Sequence, residues 1–174
     1  MPHKLIVGVT ESGKSTLARK MEADSNQRGI VSVIYDPTLN PAWCGDIVTA
    51  DEDDFFFFLR EVHEKKKCSI LAIVDEADTI MSMSHRHNWW LFMRGRHFGI
   101  EAIAITQRPT LVAPTVRNNT SELYAFQIPK SDAQALADDF AAPGIVVASE
   151  LPQGEFLRAY CKDRKKVVDR HRVF

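Results

Sequence analysis

Residues 8–16 read Gly8-Val9-Thr10-Glu11-Ser12-Gly13-Lys14-Ser15-Thr16 and match G-x-x-x-x-G-K-[ST] at every fixed position. That spacing suits the capture of a polyphosphate. Two glycines let the backbone curl so that successive N–H groups point inward, and the helix that follows adds its N-terminal amides and dipole to the same anion. In such a cradle Lys14 reaches the β- and γ-phosphates, the Ser15 hydroxyl ligates Mg²⁺, and Thr16 adds a contact to the α-phosphate. The expected ligand is ATP with Mg²⁺, held by Gly8, Val9, Thr10, Glu11, Ser12, Gly13, Lys14, Ser15 and Thr16.

Two further stretches carry what hydrolysis would need. The apolar run Ile70–Val74 ends in Asp75-Glu76. An acid at a strand tip holds Mg²⁺ as a hard oxygen ligand, and the second acid is placed to polarise an attacking water. The ordinary alternative is an acidic helix start, and Asp78 reads as a capping acid of that kind. The run Ile100–Thr106 then delivers Gln107, followed by Arg108-Pro109. Ligands of open α/β sheets sit at the carboxyl ends of the strands, where a glutamine can touch both the γ-phosphate and the water.

These residues must be held by alternating strands and helices. His3–Val7 reads as a short strand, and a helix from about Lys14 to Asn26 closes at Gly29. Ile30–Tyr35 is a β-branched strand that stops at Asp36-Pro37. Thr49–Asp54 supplies a cap and an acidic first turn for a helix expected to bury Phe55, Phe58, Leu59 and Val62 and to end in the basic Lys65–Lys67. Ser69–Val74 is the most apolar strand; a helix near Asn88–Phe98 ends at Gly99, and Ile100–Thr106 and Glu122–Ile128 are further strands. Ser131-Asp132-Ala133-Gln134 has the capping-box pattern of a helix start. Gly154–Cys161 and Lys166–Phe174 read as a strand pair around the turn Lys162-Asp163-Arg164. Near-continuous apolar strands alternating with helices predict an α/β fold, a mostly parallel sheet covered on both faces.

Length and composition bound the rest. With 174 residues, 45% hydrophobic and 26% charged, the chain suits one domain over 1–174, with a core at about 4–160 and a basic tail at 158–174. No apolar run approaches the roughly 20 residues of a membrane helix, so no transmembrane segment is expected, and the N-terminus lacks the pattern of a secretory signal. Cys44, Cys68 and Cys161 are too far apart for a C-x-x-C motif and are expected to be buried free thiols in a reducing compartment. The net charge of −1 hides an asymmetry: residues 158–174 hold seven Lys/Arg against Asp163 and Asp169. That permits an anionic polymer as partner.

Taken together, GVTESGKST, IVDEAD and RHFGIEAIAITQRP resemble the FtsK–HerA superfamily of DNA-pumping ATPases. Tyr35-Asp36-Pro37 and Glu122–Gln127 followed by Ser131-Asp132 are similar too, and the match spans about residues 4–160. The size of the chain places it nearest the genome-packaging ATPases of tailless, membrane-containing phages and related archaeal viruses. The resemblance implies a RecA-like (ASCE) P-loop NTPase that hydrolyses ATP to translocate double-stranded DNA, gripping backbone phosphates without reading bases. It also implies a homo-oligomeric ring, expected to be hexameric, capsid or portal-vertex proteins as partners, and a place in the host cytoplasm and at the virion packaging vertex. Such rings complete each site with an arginine from the neighbouring subunit. The superfamily carries arginines around the strand and helix matching Glu122–Leu136, and this chain has none there; Arg94, Arg96 and Arg117 are the nearest candidates, with Arg94 or Arg96 favoured. A conjugation or chromosome-transfer motor, a small-molecule kinase and a nucleotide-stabilised structural vertex protein are the alternatives.

Other features have plainer accounts. Thr79–His87 with Arg86, Lys130 and the basic tail are candidate DNA contacts, although a charged loop or tail is usually only solvated. His85, His87 and His97 lack the acid or thiol that would complete a metal site. Trp89, Trp90, Phe92 and Met93 are expected mostly in the core or a subunit interface, and one or two of Phe55–Phe58 must face outward.

Overall fold

The computed structural model describes residues 2–66, 68–163 and 165–174, with the side chains of Lys65 and Lys66 outside the described set. Eight strands form one sheet: β1 (Lys4–Val7), β2 (Val31–Tyr35), β3 (Ile47–Thr49), β4 (Ile70–Val74), β5 (Ile100–Thr106), β6 (Glu122–Ala125), β7 (Glu155–Lys162) and β8 (Lys165–Arg172). Their order is β3-β2-β4-β5-β1-β6-β7-β8, parallel as far as β6 and antiparallel for the last two. Every residue of β4 is buried, as a strand covered on both faces requires.

The helices divide unequally. α1 (Lys14–Gln27) packs Ala18, Leu17 and Met21 on one face, where Trp43, Phe126, Phe156 and Val173 complete the layer. α2 (Glu52–Lys66), α3 (Trp90–Arg94), α4 (Pro114–Asn118) and α5 (Lys130–Asp139) cover the other face. Among the described residues no helix is long and apolar enough to cross a membrane.

Several expectations are corrected. In α2 the buried stripe is Phe55, Phe56, Leu59 and Val62, whereas Phe58 is half-buried and Phe57 is the exposed one. Phe56 is drawn inward because it packs edge-on to Phe55 and lies 5.9 Å from the ring of Trp90. The helix begins at Glu52, with Asp51 Oδ1 accepting the Asp54 N–H at 2.9 Å. Its last described residue is Lys66, and Lys67, like Arg164 of the turn expected from sequence, lies outside the described residues. The single helix read over Asn88–Phe98 is instead a short α3 followed by a 3₁₀ segment from Gly95 to Phe98, because glycine is a poor helix interior residue. β6 ends at Ala125, where the chain turns to support the loop after β1: Phe126 N–H donates to Val7 O and Gln127 O accepts from Val9 N–H. The capping box does not form. Pro129 holds the N-cap, Ser131 falls inside the first turn, and Gln134 donates instead to Asp138. The thiols are not buried either: Cys44 and Cys161 are exposed and Cys68 is half-buried, since the first lies in a loop, the second on the outer hairpin and the third just before β4.

Candidate nucleotide site

In the order β2-β4-β5-β1 four neighbouring parallel strands end at one edge of the sheet. With strands about 4.8 Å apart, their tips span roughly 15 Å, the width of a triphosphate with its metal ion. Those tips carry Asp36, Asp75-Glu76, Gln107 and Gly8. The insertion of β5 between β1 and β4 places Gln107 directly between the cradle and the acids. Thr10, Glu11, Lys14, Ser15, Thr38, Asn40, Asp75, Glu76, Thr106 and Gln107 line one cavity of about 200 Å³.

The backbone of residues 8–13 adopts the curl that the glycines were expected to permit. Gly13 sits at φ 111°, and a Cβ built on Gly8 would come within 2.5 Å of Ser12 Oγ and 2.7 Å of Phe126 Cβ. Ser12 Oγ is itself buried without a hydrogen-bond partner among the described residues. Lys14 Nζ donates to Val9 O at 2.7 Å, so the ammonium lies across the mouth of the loop. Burial pushes the Lys14 ammonium toward its neutral form while the charge of Asp75 opposes this. Asp75 mirrors it. Burial, together with the charges of Asp36 and Glu76, raises its carboxyl to about 6, against the Glu76 N–H bond and the charge of Lys14. A buried cation and a half-buried anion, each short of counter-charge, are what phosphate oxygens and a divalent ion would relieve. The residues present therefore fit ATP and Mg²⁺, and Ser15 and Asp75 are the residues that would hold the metal.

The glutamine is pinned. Gln107 Oε1 accepts from Thr10 Oγ1 at 2.8 Å, joining the tip of β5 to the cradle. Thr106 Oγ1 donates to Asp78 at 2.6 Å and accepts the Arg108 N–H at 2.9 Å. Asp78 is thus an anchor for the glutamine turn rather than the capping acid expected from sequence. Glu76 sits exposed at the cavity with φ 47°, and its N–H is held by Asp75 Oδ1 at 3.0 Å. Thr38 and Asn40 were not anticipated, although Asp36-Pro37-Thr38 is the composition of an Asx turn. The C-terminal segment was not anticipated here either. Because β7 and β8 run antiparallel, they return Gln153-Gly154 and Val173 to the back of the cradle, where Gln153 donates to Glu11 O at 3.0 Å and Gly154 to Ser12 O at 3.1 Å.

The arginine candidates lie elsewhere. Arg117 is 8% exposed, paired with Asp139 at 2.7 Å and donating to Pro109 O and Val112 O. It braces the segment after Gln107, with its Nε and Nη1 engaged inside its own subunit. Arg94 lines a separate cleft of about 340 Å³ with Leu59, His63, Trp90, Phe98 and Ile100. Arg94 and Arg96 both precede β5, whose six residue steps put them about 20 Å from the Gln107 end. Neither belongs to this chain's own cavity. A phosphate cradle is missing from that larger cleft, so size alone does not mark the site.

No family model and no curated protein matches the sequence. Solved structures do. The genome packaging NTPase B204 from Sulfolobus turreted icosahedral virus 2, in complex with AMPPCP, superposes with a TM-score of 0.79 at 19% identity over 96% of both chains. The pCW3 conjugation coupling protein TcpA, with ATPγS, gives 0.69 at 19% identity over 96% of this chain and 59% of TcpA. The cytoplasmic domain of the Thermomonospora curvata type VII secretion ATPase EccC gives 0.67 at 15% identity over 98% of this chain and 25% of that one. The eight-stranded chain therefore has the P-loop NTPase fold that these proteins share, and it is the fold to which its sequence motifs pointed.

Proposed function

We propose that the chain is an ATP-hydrolysing motor that translocates double-stranded DNA, and that its task is to package a viral genome into a preformed capsid. One observation carries the reading: a phosphate cradle, an acidic pair and a pinned glutamine line a single cavity, on a fold matched over 96% of both chains with a genome packaging NTPase. The cradle and Lys14 bind the triphosphate, Glu76 takes the proton of the attacking water, and Gln107 registers the terminal phosphate through its link to Thr10. Mg²⁺ held by Ser15 and Asp75 would neutralise phosphate charge.

Assembly into a ring, hexameric in this reading, would bring the opposite edge of one subunit to the next subunit's cavity. Arg94 or Arg96 then supplies the neutralising charge in trans. Arg86, Lys130 and the basic β7–β8 hairpin are the proposed backbone contacts to DNA, capsid or portal-vertex proteins the docking partners, and the host cytoplasm and packaging vertex the place of action. Transfer of DNA between cells is the second reading, favoured by the match to TcpA.

The test is ATP turnover with and without duplex DNA, with particle mass measured in parallel. Stimulation by duplex DNA of any sequence, in an oligomer, is expected. Turnover indifferent to DNA but raised by a nucleoside acceptor would replace the motor with a kinase. Co-sedimentation with empty capsids then separates packaging from transfer.

A further inference from the structure

Asp36, at the tip of β2, is 1% exposed, and its carboxylate is turned wholly on its own loop. Oδ1 accepts the Thr38 N–H and hydroxyl at 2.8 and 2.7 Å, and Oδ2 accepts the Asn40 N–H at 2.8 Å and the Trp43 indole N–H at 3.1 Å. Burial works to raise this carboxyl, but the bonds from Thr38, Asn40 and Trp43 outweigh it and hold it below the usual carboxylate range. Asp36 therefore stays ionised and keeps its four donors. Its backbone oxygen accepts the N–H of Leu39, which takes φ 49° to close the turn.

What this anchored loop delivers to the cavity is Asn40. Its Oδ1 accepts the Ala42 N–H at 3.0 Å, which sets the sense of the carboxamide and leaves its NH₂ group without a partner among the described residues. Gln107 is held the same way. Its Oε1 accepts from Thr10, and its NH₂ group is likewise unpartnered among the described residues. Both amides line the same cavity, one from the loop after β2 and one just after β5, with Asp75 and Glu76 at the end of β4 between them.

We infer that Asn40 is a direct donor to the terminal phosphate, so that Asn40 and Gln107 bracket the γ-phosphoryl group with two neutral carboxamide N–H donors on either side of the acids. The inference rests on the nucleotide reading above. Its physical basis is the charge arrangement. Carboxylates at the centre of the wall repel phosphate oxygens, and a cation beside them would pair with the acids. A carboxamide donates to the oxygens without either outcome, and a loop tied by four bonds to one buried carboxylate holds it in place before the substrate arrives.

The test uses the full chain with fluorescent ADP and fluorescent ATPγS, and steady-state ATP turnover. Asn40→Ala is expected to lower kcat about 10²-fold, the usual loss for one oriented donor, with ADP affinity held within about twofold. The preference for ATPγS over ADP should shrink about tenfold, because ADP lacks the group that Asn40 touches. Asn40→Asp keeps an acceptor for the Ala42 N–H but removes the NH₂ donor, and it should lose at least as much. Wild-type turnover in Asn40→Asp, with Asn40→Ala impaired, would assign the side chain to loop structure and overturn the proposal. Unchanged kcat and unchanged ATPγS preference in Asn40→Ala would overturn it as well. Lys14→Ala is the control. If the wild-type chain itself bound neither nucleotide, the nucleotide reading would fall rather than this one.

Discussion

The two ends of the central sheet are built on different terms. At the carboxyl end, backbone turns into the left-handed region at Glu11, Leu39 and Glu76, three of the five non-glycine residues with positive φ among the described residues; Ala141 and Asp163 only end a helix and turn a hairpin. At the amino end the left-handed positions before β2 and β5 are Gly29 and Gly99, which adopt them without strain. The charges differ in the same way. The carboxyl end buries Lys14 and half-buries Asp75 against their preference, while the amino end buries His3 in the neutral form, with Nδ1 accepting the Ala102 N–H. Side chains are thus kept at the carboxyl end where glycine or a neutral residue would be more stable. That is the expected mark of a working site.

The largest effect should come from removing chemistry while leaving the architecture. Glu76→Gln is expected to lower ATP turnover about 10³-fold with nucleotide affinity unchanged, as removal of a general base does. Near-normal hydrolysis by this variant in a single-turnover assay would deprive Glu76 of its role.

Next is Asp75→Asn, which should trade function for stability. The folded-state carboxyl near 6 lies above its ordinary value, so its contribution is fully present below about pH 4 and lost as pH rises through 6. At pH 7 the amide should therefore stabilise the nucleotide-free chain by up to about 3 kcal/mol, or roughly 6–12 °C in Tm, and at pH 4 by much less. Its affinity for Mg²⁺–ATP should fall at the same time. An equal gain at both pH values would mean that the charge is not the cause.

His3 titrates in the opposite direction. Burial, with the charges of Arg96, the N-terminus and Lys4, lowers it to about 4. The stability tied to its neutral form is present above the usual histidine value and lost as pH falls toward 4. Its ring-proton NMR signal should titrate near 4, and a midpoint near 6.5 would contradict this account of the amino end.

The smallest effects test backbone strain directly. Leu39→Gly should stabilise by about 0.5 kcal/mol, since relief of strain slightly exceeds the added unfolded-state entropy. Gly99→Ala should destabilise by about 1 kcal/mol, because a Cβ there would make only an ordinary contact, 3.8 Å from Cys68 O, but φ is 72°. Shifts of the same sign in chemical denaturation would erase the contrast between the two ends.

The chain's own residues determined the alternation of strands and helices, the curl at Gly8–Gly13 and the identity of Lys14, Ser15, Asp75, Glu76 and Gln107 as candidates, because each depends on local spacing and hydrophobic period. Strand order was not legible, since it depends on which apolar faces meet, and that order alone puts Gln107 between cradle and acids and brings Asp36 beside Asp75. The capping box at Ser131 failed because the boundary fell at Pro129, a matter of how β6 hands over to α5. Arg117 could be read as a free arginine until Asp139, 22 positions later, was seen to bind it. The loop that presents Asn40 needed the buried indole of Trp43, and the support behind the cradle needed an antiparallel hairpin. Local chemistry names the reacting groups, and long-range packing decides which of them share a cavity, because a side chain's partner is set by distance in space rather than by position along the chain.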